Sequence, residues 1–304
     1  MTKNILTYGV IFAVIASAAA PVDIRLATLA SKGTSFEQNL SAMREKWRRI
    51  SDGGVKLIVH AGGEMGGEAS VVQQMRQGGL QAAMLSVVGL SAIDDSVTAL
   101  QYMPMMFRSY AELDYVAEKL RPTLEKRLED KGFIVLFWVD AGWIRFFSKK
   151  AGLTPQDFKA MKMFVWAGDN RQSDIMKAIG YQPRSLETDA VISSLQTGMI
   201  DAAAQPPFFA LAGQLDTVAR HMLDVKWAPA VGAAVIDKRR WEKVPPAIRS
   251  ALLLAAKEAG DQIRARSRLE AEQSVAAMQK RGLTVHAVDA RLEAEWRQFA
   301  EHLY

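Results

Sequence analysis

The sequence predicts a two-lobed α/β protein with a long helix spanning both lobes, and three observations support this. Strand-like segments alternate with amphipathic segments of helical length, a pattern typical of β-α-β units. A second series of such segments begins near Ile144. Residues 245–281 form one continuous helical pattern, roughly 55 Å long, which exceeds the width of one small lobe. The 304 residues are sufficient for two domains, each with its own core.

The first lobe is predicted from the segments after residue 20. Residues 23–29 alternate apolar and polar side chains, as a half-buried strand does. The next predicted elements are a helix (36–50), a strand (55–60), a glycine loop (62–67), a helix (69–78), a strand (81–88), a helix (110–131) and a buried strand (133–139). Their order favours a largely parallel sheet.

The second lobe repeats this alternation. Thr154 and Pro155 are suited to the N-cap and first position of a helix. The predicted elements are strands at 145–148, 162–166 and 200–204, helices at 173–179 and 189–197, and a returning crossover strand within 222–236. We predict a signal peptide (1–20), lobe one (21–142, with part of 222–250), lobe two (143–221), the spanning helix (245–281) and a C-terminal segment (282–304). Two helices broken near Gly260 are the alternative to one spanning helix.

The first twenty residues indicate export. Lys3 precedes an apolar stretch at 5–15 and a run of small residues, the pattern of a secretory signal peptide. The apolar run is too short for a transmembrane anchor. We expect cleavage after Ala19 or Ala20 and a soluble periplasmic protein. The chain has no cysteine, which suits an oxidising compartment and excludes thiol catalysis and zinc–thiolate sites.

The remaining motifs argue for ligand capture and against catalysis. The net charge of +5 is spread along the chain, whereas nucleic-acid binders cluster positive charge. The sequence lacks a P-loop, a G-x-S-x-G elbow and an H-E-x-x-H motif, and its four histidines are far apart in the sequence. The glycine loop at 62–67 precedes a helix, as phosphate-binding loops do, but a tight turn is the favoured interpretation. We expect no catalytic residue, cofactor, metal or nucleic-acid partner.

Four motifs carry a resemblance to a known family. They are GGEMGG at 62–67, MPMMFR at 103–108, LTPQDFK at 153–159 and LQTGMID at 195–201, and the last is similar to the family signature ALQxGxxDG. The chain resembles the extracytoplasmic solute receptors of tripartite ATP-independent periplasmic (TRAP) transporters, of the dicarboxylate-receptor (DctP) type. The resemblance implies a type II-like periplasmic binding protein that closes on one solute between its lobes. It also implies delivery of that solute to membrane permease subunits.

One position departs from the family pattern. The resemblance implies an Arg that recognises the solute's carboxylate, but Phe164 occupies that position here. Trp166 follows on the same side of the strand. We therefore predict a neutral, aromatic or amphipathic solute, because a carboxylate buried without a cation is costly. Packing in the core is the alternative role for both aromatic side chains.

The predicted ligand-binding residues come from both lobes and the crossing between them. They are Glu64, Ser86, Trp143, Arg145, Phe164, Trp166, Gln205 and Phe208. If Arg145 reaches the cleft, a monocarboxylate with an apolar tail becomes the expected solute, or the chain is an ordinary organic-acid receptor. An enzyme or a non-transport scaffold on the same fold are the alternatives from other functional classes.

Overall fold

The computed structural model describes residues 21–303, so the predicted signal peptide lies outside the described residues. The strands are β1 (Val22–Thr28), β2 (Val55–His60), β3 (Ala82–Ser86), β4 (Phe133–Trp143), β5 (Arg145–Ser148), β6 (Lys162–Trp166), β7 (Gln182–Leu186), β8 (Ala202–Gln205), β9 (His221–Leu223), β10 (Pro229–Asp237) and β11 (Thr284–His286). The helices are α1 (Ser35–Ile50), α2 (Glu68–Arg76), α3 (Val87–Ser91), α4 (Tyr110–Asp130), α5 (Pro155–Lys159), α6 (Asn170–Ala178), α7 (Val191–Thr197), α8 (Pro207–Ala212), α9 (Lys238–Trp241), α10 (Pro246–Lys280) and α11 (Ala290–Glu301).

The strands form two mixed sheets, one in each lobe. The first sheet has the order β2-β1-β3-β10-β4, and the second has the order β11-β9-β5-β8-β6-β7. β1 runs parallel to β2 and β3, as the β-α-β pattern predicts, but β10 is antiparallel to both of its neighbours. The prediction of a largely parallel sheet is therefore only partly correct, because β10 enters the first sheet on its return from the second lobe.

Two strand connections pass between the lobes side by side. The chain leaves the first sheet at the end of β4 and enters the second with β5, so that Ile144 lies at the crossing. It returns between β9 and β10 through Trp227 and Ala228. The Ile144 N–H donates to the Ala228 carbonyl at 2.8 Å, and the Trp227 N–H donates to the Ile144 carbonyl at 3.2 Å. These hydrogen bonds join the two crossings into one hinge.

Helix α10 is continuous over 35 residues and contacts both lobes. Leu252 and Ile263 are buried in the core of the first lobe, and Met278 is buried in the core of the second. Gly260 does not break the helix, so the predicted single helix is confirmed and the alternative of two helices is wrong. A Cβ at position 260 would lie 2.6 Å from the Phe137 Cβ, so glycine permits the helix to lie directly on β4.

The core of the first lobe fills the space between its sheet and the helices α1 and α10. Trp47 on α1 is fully buried there, and its Nε1–H donates to the Leu252 carbonyl on α10 at 3.0 Å. This contact fixes the long helix against the lobe. None of the helices within residues 21–303 combines the length and apolar character needed to cross a bilayer.

Candidate functional site

A cavity of about 200 Å³ lies between the lobes beside the hinge. We call it the interlobe cavity. The first lobe contributes the side chains of Thr28, Phe36, Glu68, Ser86 and Val88, and the second contributes those of Trp166, Thr188, Val191, Gln205 and Phe209. Gln101 and Ile144 line it at the hinge. Because both lobes form its wall, a solute bound there would contact both.

A second cavity of about 100 Å³ is lined mostly by the second lobe, with Gln101 and Tyr102 contributed by the first. We call it the aromatic cavity, because its wall includes Tyr102, Phe146, Phe164, Trp166, Tyr181, Trp227, Trp296 and Phe299. Gln101, Ile144 and Trp166 line this cavity as well as the interlobe cavity. These three side chains therefore lie between the two spaces.

Neither cavity presents a cation. Within the described part of the chain, no Lys, Arg or His side chain lines either space. Arg171 on α6 is nearby, but its Nη1–H donates to the Thr98 Oγ1 at 3.4 Å and it does not line either cavity. A solute carboxylate would have no guanidinium to pair with in this arrangement.

Glu68 is the acidic side chain of the interlobe cavity, and its oxygens are already used within the protein. They accept the Ser86 N–H at 2.7 Å, the Ser86 hydroxyl at 2.5 Å and the Gly89 N–H at 2.9 Å. Burial raises the pKa of Glu68, and the hydrogen bonds from Ser86 and Gly89 oppose that rise. Glu68 therefore organises the β3–α3 turn as part of the cavity wall.

Two amide side chains in the wall of the interlobe cavity have hydrogen-bonding capacity that the protein does not use. Gln205 is only 4% exposed, lines the interlobe cavity, and its side chain forms no hydrogen bond with the described residues. Gln101 uses its Oε1 to accept the Val231 N–H at 2.9 Å, which leaves its amide N–H groups. Buried amides usually have partners, so these groups are suited to hydrogen bonding with a molecule in the cavity.

Four predicted residues line the two cavities. Ser86 and Gln205 line the interlobe cavity, Phe164 lines the aromatic cavity, and Trp166 lines both. The rings of Phe164 and Trp166 meet edge to face with centroids 5.0 Å apart. Phe164 is also part of the core of the second lobe and is 4% exposed, so it packs in the core as well as lining the cavity.

Three predicted residues lie elsewhere. Glu64 is half exposed on the glycine loop and pairs with Lys32 at 2.5 Å. Trp143 is buried in the first lobe, where it stacks on Tyr110 with centroids 5.3 Å apart. Phe208 packs against Phe36 at 5.4 Å, while its neighbour on α8 lines the interlobe cavity. None of these three side chains lines either cavity.

Arg145 lines neither cavity. It is 3% exposed, and its guanidinium donates to Asp224 and, at 3.5 Å, to Glu272 on α10. Arg145 lies opposite Gln205 in the pairing of β5 with β8, so the two side chains share a face of the second sheet, but the two acids hold the guanidinium outside the cavity wall. The charge of Arg145 is thus neutralised within the protein.

Sequence reasoning missed Glu68, Gln101 and the wall of the aromatic cavity. Glu68 begins helix α2 directly after the glycine loop, and this position distinguishes it from Glu64. Gln101 follows a short 3-10 helix and has no local motif. Trp227 and Trp296 reach the aromatic cavity from the hinge and from α11, and no pattern near either residue indicates this.

The lobes also touch across the mouth of the cleft. The Tyr102 hydroxyl of the first lobe donates to the Asp169 carboxylate, which caps α6 in the second. Burial raises the pKa of Asp169, and the hydrogen bond from Tyr102 opposes the rise. A Cβ at Gly67 would lie 2.5 Å from the Glu187 Oε2, so glycine permits this approach. The lobes are therefore closed around the interlobe cavity.

The chain is similar to several known proteins over most of its length. It is 23% identical to the C4-dicarboxylate-binding periplasmic protein of Rhodobacter capsulatus, covering 92% of this chain and 84% of the relative. A TRAP periplasmic solute binding protein of Sulfurospirillum deleyianum with bound succinate has a TM-score of 0.86 at 22% identity, with 94% of each chain covered. An extracytoplasmic solute receptor of Bordetella pertussis binding pyroglutamic acid has a TM-score of 0.85 at 18% identity, with 92% of each chain covered.

These likenesses agree with the two-lobed fold and the spanning helix. The sequence match to a family extends over residues 26–304, which is nearly the whole chain. The chain belongs to the DctP family, family 7 of the bacterial extracellular solute-binding proteins.

Proposed function

We propose that this chain is a periplasmic receptor that captures a small uncharged solute, aromatic or amphipathic, and delivers it to the permease of a TRAP-type transporter. The family membership supports capture of a solute outside the cytoplasm, and the similar proteins of TRAP systems support delivery to a permease. The proposed contacts are Ser86, Gln205 and Trp166, with Phe164 behind the tryptophan ring. The receptor performs no catalysis in this proposal.

The observation that carries the proposal is the absence of a cation among the described residues that line the two cavities. An unpaired carboxylate transferred from water into such a site would lose several kcal/mol of solvation. Glu68 would add repulsion. A hydroxyl, carbonyl or amide group, by contrast, can pair with the carboxamide of Gln205, which both donates and accepts.

The alternative is a receptor for an organic acid that uses Arg145. The similar proteins with solved structures have bound acids such as succinate and pyroglutamic acid. For Arg145 to act in this way, its side chain would have to leave Asp224 and Glu272 and turn toward the interlobe cavity. The ion pairs of Arg145 oppose that movement, so the uncharged solute is favoured.

A thermal-shift experiment with matched pairs tests the proposal. The receptor is screened with phenylacetamide against phenylacetate, and with succinate and pyroglutamate as acids. Ligands that bind the folded state raise the unfolding midpoint by linkage. We expect the amide to raise it and the three acids to leave it unchanged. A rise with succinate or phenylacetate at micromolar concentration would contradict the proposal.

A further inference from the structure

The interlobe cavity and the aromatic cavity share the side chains of Gln101, Ile144 and Trp166. Trp166 is half-buried at the end of β6, while Gln101 and Ile144 are held in the hinge region by backbone hydrogen bonds. A solute in the interlobe cavity therefore contacts the same side chains that border the aromatic cavity. The second space therefore adjoins the first across these three side chains.

We propose that the two cavities form one elongated site for an amphipathic solute. Its uncharged polar end lies in the interlobe cavity beside Gln205, and its apolar tail extends past Trp166 into the aromatic cavity. This inference rests on the proposed function and deepens it, because it names the shape and polarity of the solute.

The aromatic cavity is suited to a hydrocarbon tail. The polar tips of its aromatic side chains are already bonded within the protein. The Trp296 Nε1–H donates to the Leu153 carbonyl at 2.7 Å, the Tyr181 hydroxyl donates to the Pro155 carbonyl at 2.9 Å, and the Tyr102 hydroxyl donates to Asp169. What these side chains present to the cavity is ring surface, which favours apolar groups.

Helix α11 gives the aromatic cavity its closed end. Trp296 is fully buried and packs against Phe146 with ring centroids 5.0 Å apart, and Phe299 stacks on Trp227 at 6.1 Å. These contacts fix the floor of the cavity, so the space for a tail has a limited length. In this proposal α11 sets the maximum length of the solute.

Titration with primary n-alkanamides, from butanamide to decanamide, tests the elongated site. Each methylene that enters the aromatic cavity is expected to increase affinity about fourfold. The increase is expected to stop once the tail reaches the floor. Fluorescence provides a second readout, because Trp166, Trp227 and Trp296 line the aromatic cavity. Long amides are expected to shift their emission more than butanamide does.

A matched pair of variants assigns the tail to its cavity. Ala204 on β8 lines the aromatic cavity and Ala230 on β10 lines the interlobe cavity, and both are half-buried. Ala204→Phe should reduce decanamide affinity to that of butanamide and leave butanamide unchanged. Ala230→Phe should weaken every amide alike. If Ala204→Phe fails to fold by circular dichroism, Met176→Trp fills the same cavity and carries the same expectation.

The outcomes separate the two proposals. If no amide binds and succinate does, the proposed function fails. If butanamide binds but longer amides gain nothing, or if Ala204→Phe weakens short and long amides equally, the proposed function stands and the elongated site is overturned. Length-dependent affinity that is lost only in Ala204→Phe supports the elongated site.

Discussion

The interlobe cavity and the surface of helix α10 differ in which charged side chains they contain and how these are paired. Along α10, Arg268 is surrounded by acids: its guanidinium donates to Asp114 at 2.6 and 2.8 Å and to Asp140 at 2.6 Å. Arg281 at the end of the helix pairs with the buried Asp216 in the same manner. The interlobe cavity, by contrast, contains Glu68 bonded to backbone and hydroxyl groups, and none of its described lining residues is a cation.

This difference bears on the charge of the solute. Arg145, whose side chain is 3% exposed, and the half-buried Arg268 both pair with carboxylates of the protein, because an unpaired buried charge is strongly destabilising. A receptor for an acid would leave one cation unpaired in its cleft, so that the solute supplies the carboxylate. The described residues that line the cleft include amides and aromatic rings and no cation, and this supports the proposal of an uncharged solute.

The largest expected effect comes from breaking the charge cluster on α10. Arg268→Met leaves Asp140, whose side chain is 5% exposed, without its cation, and should lower the free energy of unfolding by about 3 kcal/mol. Arg266→Met is the control, because Arg266 is 64% exposed and its pair with Glu270 is worth less than about 1 kcal/mol. Urea denaturation measures both. If Arg268→Met lowered the free energy of unfolding by no more than Arg266→Met does, the partly buried cluster would be worth no more than an exposed ion pair.

A second substitution introduces an unpaired cation beside the cavities. Phe164→Arg buries a guanidinium among apolar side chains with no carboxylate beside it, and should destabilise the fold by about 2–3 kcal/mol. It should also abolish binding of the native solute. Phe164→Leu, which keeps the site apolar, should cost about 1–2 kcal/mol. Unchanged solute affinity in Phe164→Arg would remove this residue from the site.

Gln205→Leu tests the polar contact in the interlobe cavity. Because the side chain has no partner among the described residues, its loss should leave the free energy of unfolding unchanged or slightly higher. Affinity for phenylacetamide should fall by about 1 kcal/mol, roughly fivefold. Tryptophan fluorescence titration measures the affinity. A large loss of stability without a loss of affinity would mean that Gln205 is structural.

The smallest expected effect is a pH dependence from Glu68. Burial raises its pKa in the folded state, so the group is neutral in both states at low pH and costs stability as pH rises through the raised pKa. Glu68→Gln should make the free energy of unfolding less dependent on pH above 4.5. Glu64→Gln, at an exposed site where Lys32 lowers the pKa of the carboxyl group, should leave the profile above pH 4.5 unchanged. A profile identical in both variants would contradict this assignment.

Periodic patterns predicted most of the fold. The strand at 145–148, the cap at Thr154 and the long helix were all visible locally, and the structure has them at nearly the predicted bounds. The antiparallel course of β10 was not visible, because it depends on pairing with β3 and β4, far away in sequence. The need for glycine at position 260 was not visible either, because it depends on close contact with Phe137 on β4.

Alternation along β6 placed two of the predicted residues on one side of the strand. Phe164 and Trp166 both line the aromatic cavity, but Met163 on the other side of β6 lines it as well, so alternation alone does not define this wall. The direction of Arg145 depends on Asp224 and Glu272, which are distant in sequence and were not identifiable as its partners. On the short helix α8, a difference of one position separates Phe208 from the lining residue Phe209, so helix phase could not be assigned from so few residues.

A crystal structure of the receptor with phenylacetamide, or with the alkanamide that binds most tightly, tests whether an uncharged solute binds beside Gln205. We expect the amide group to lie in the interlobe cavity within hydrogen-bonding distance of Gln205. We also expect no Arg or Lys nitrogen within about 4 Å of any ligand atom. A soak with succinate should leave the cavity without ligand density. A bound carboxylate paired with Arg145 or Arg171 would contradict the account.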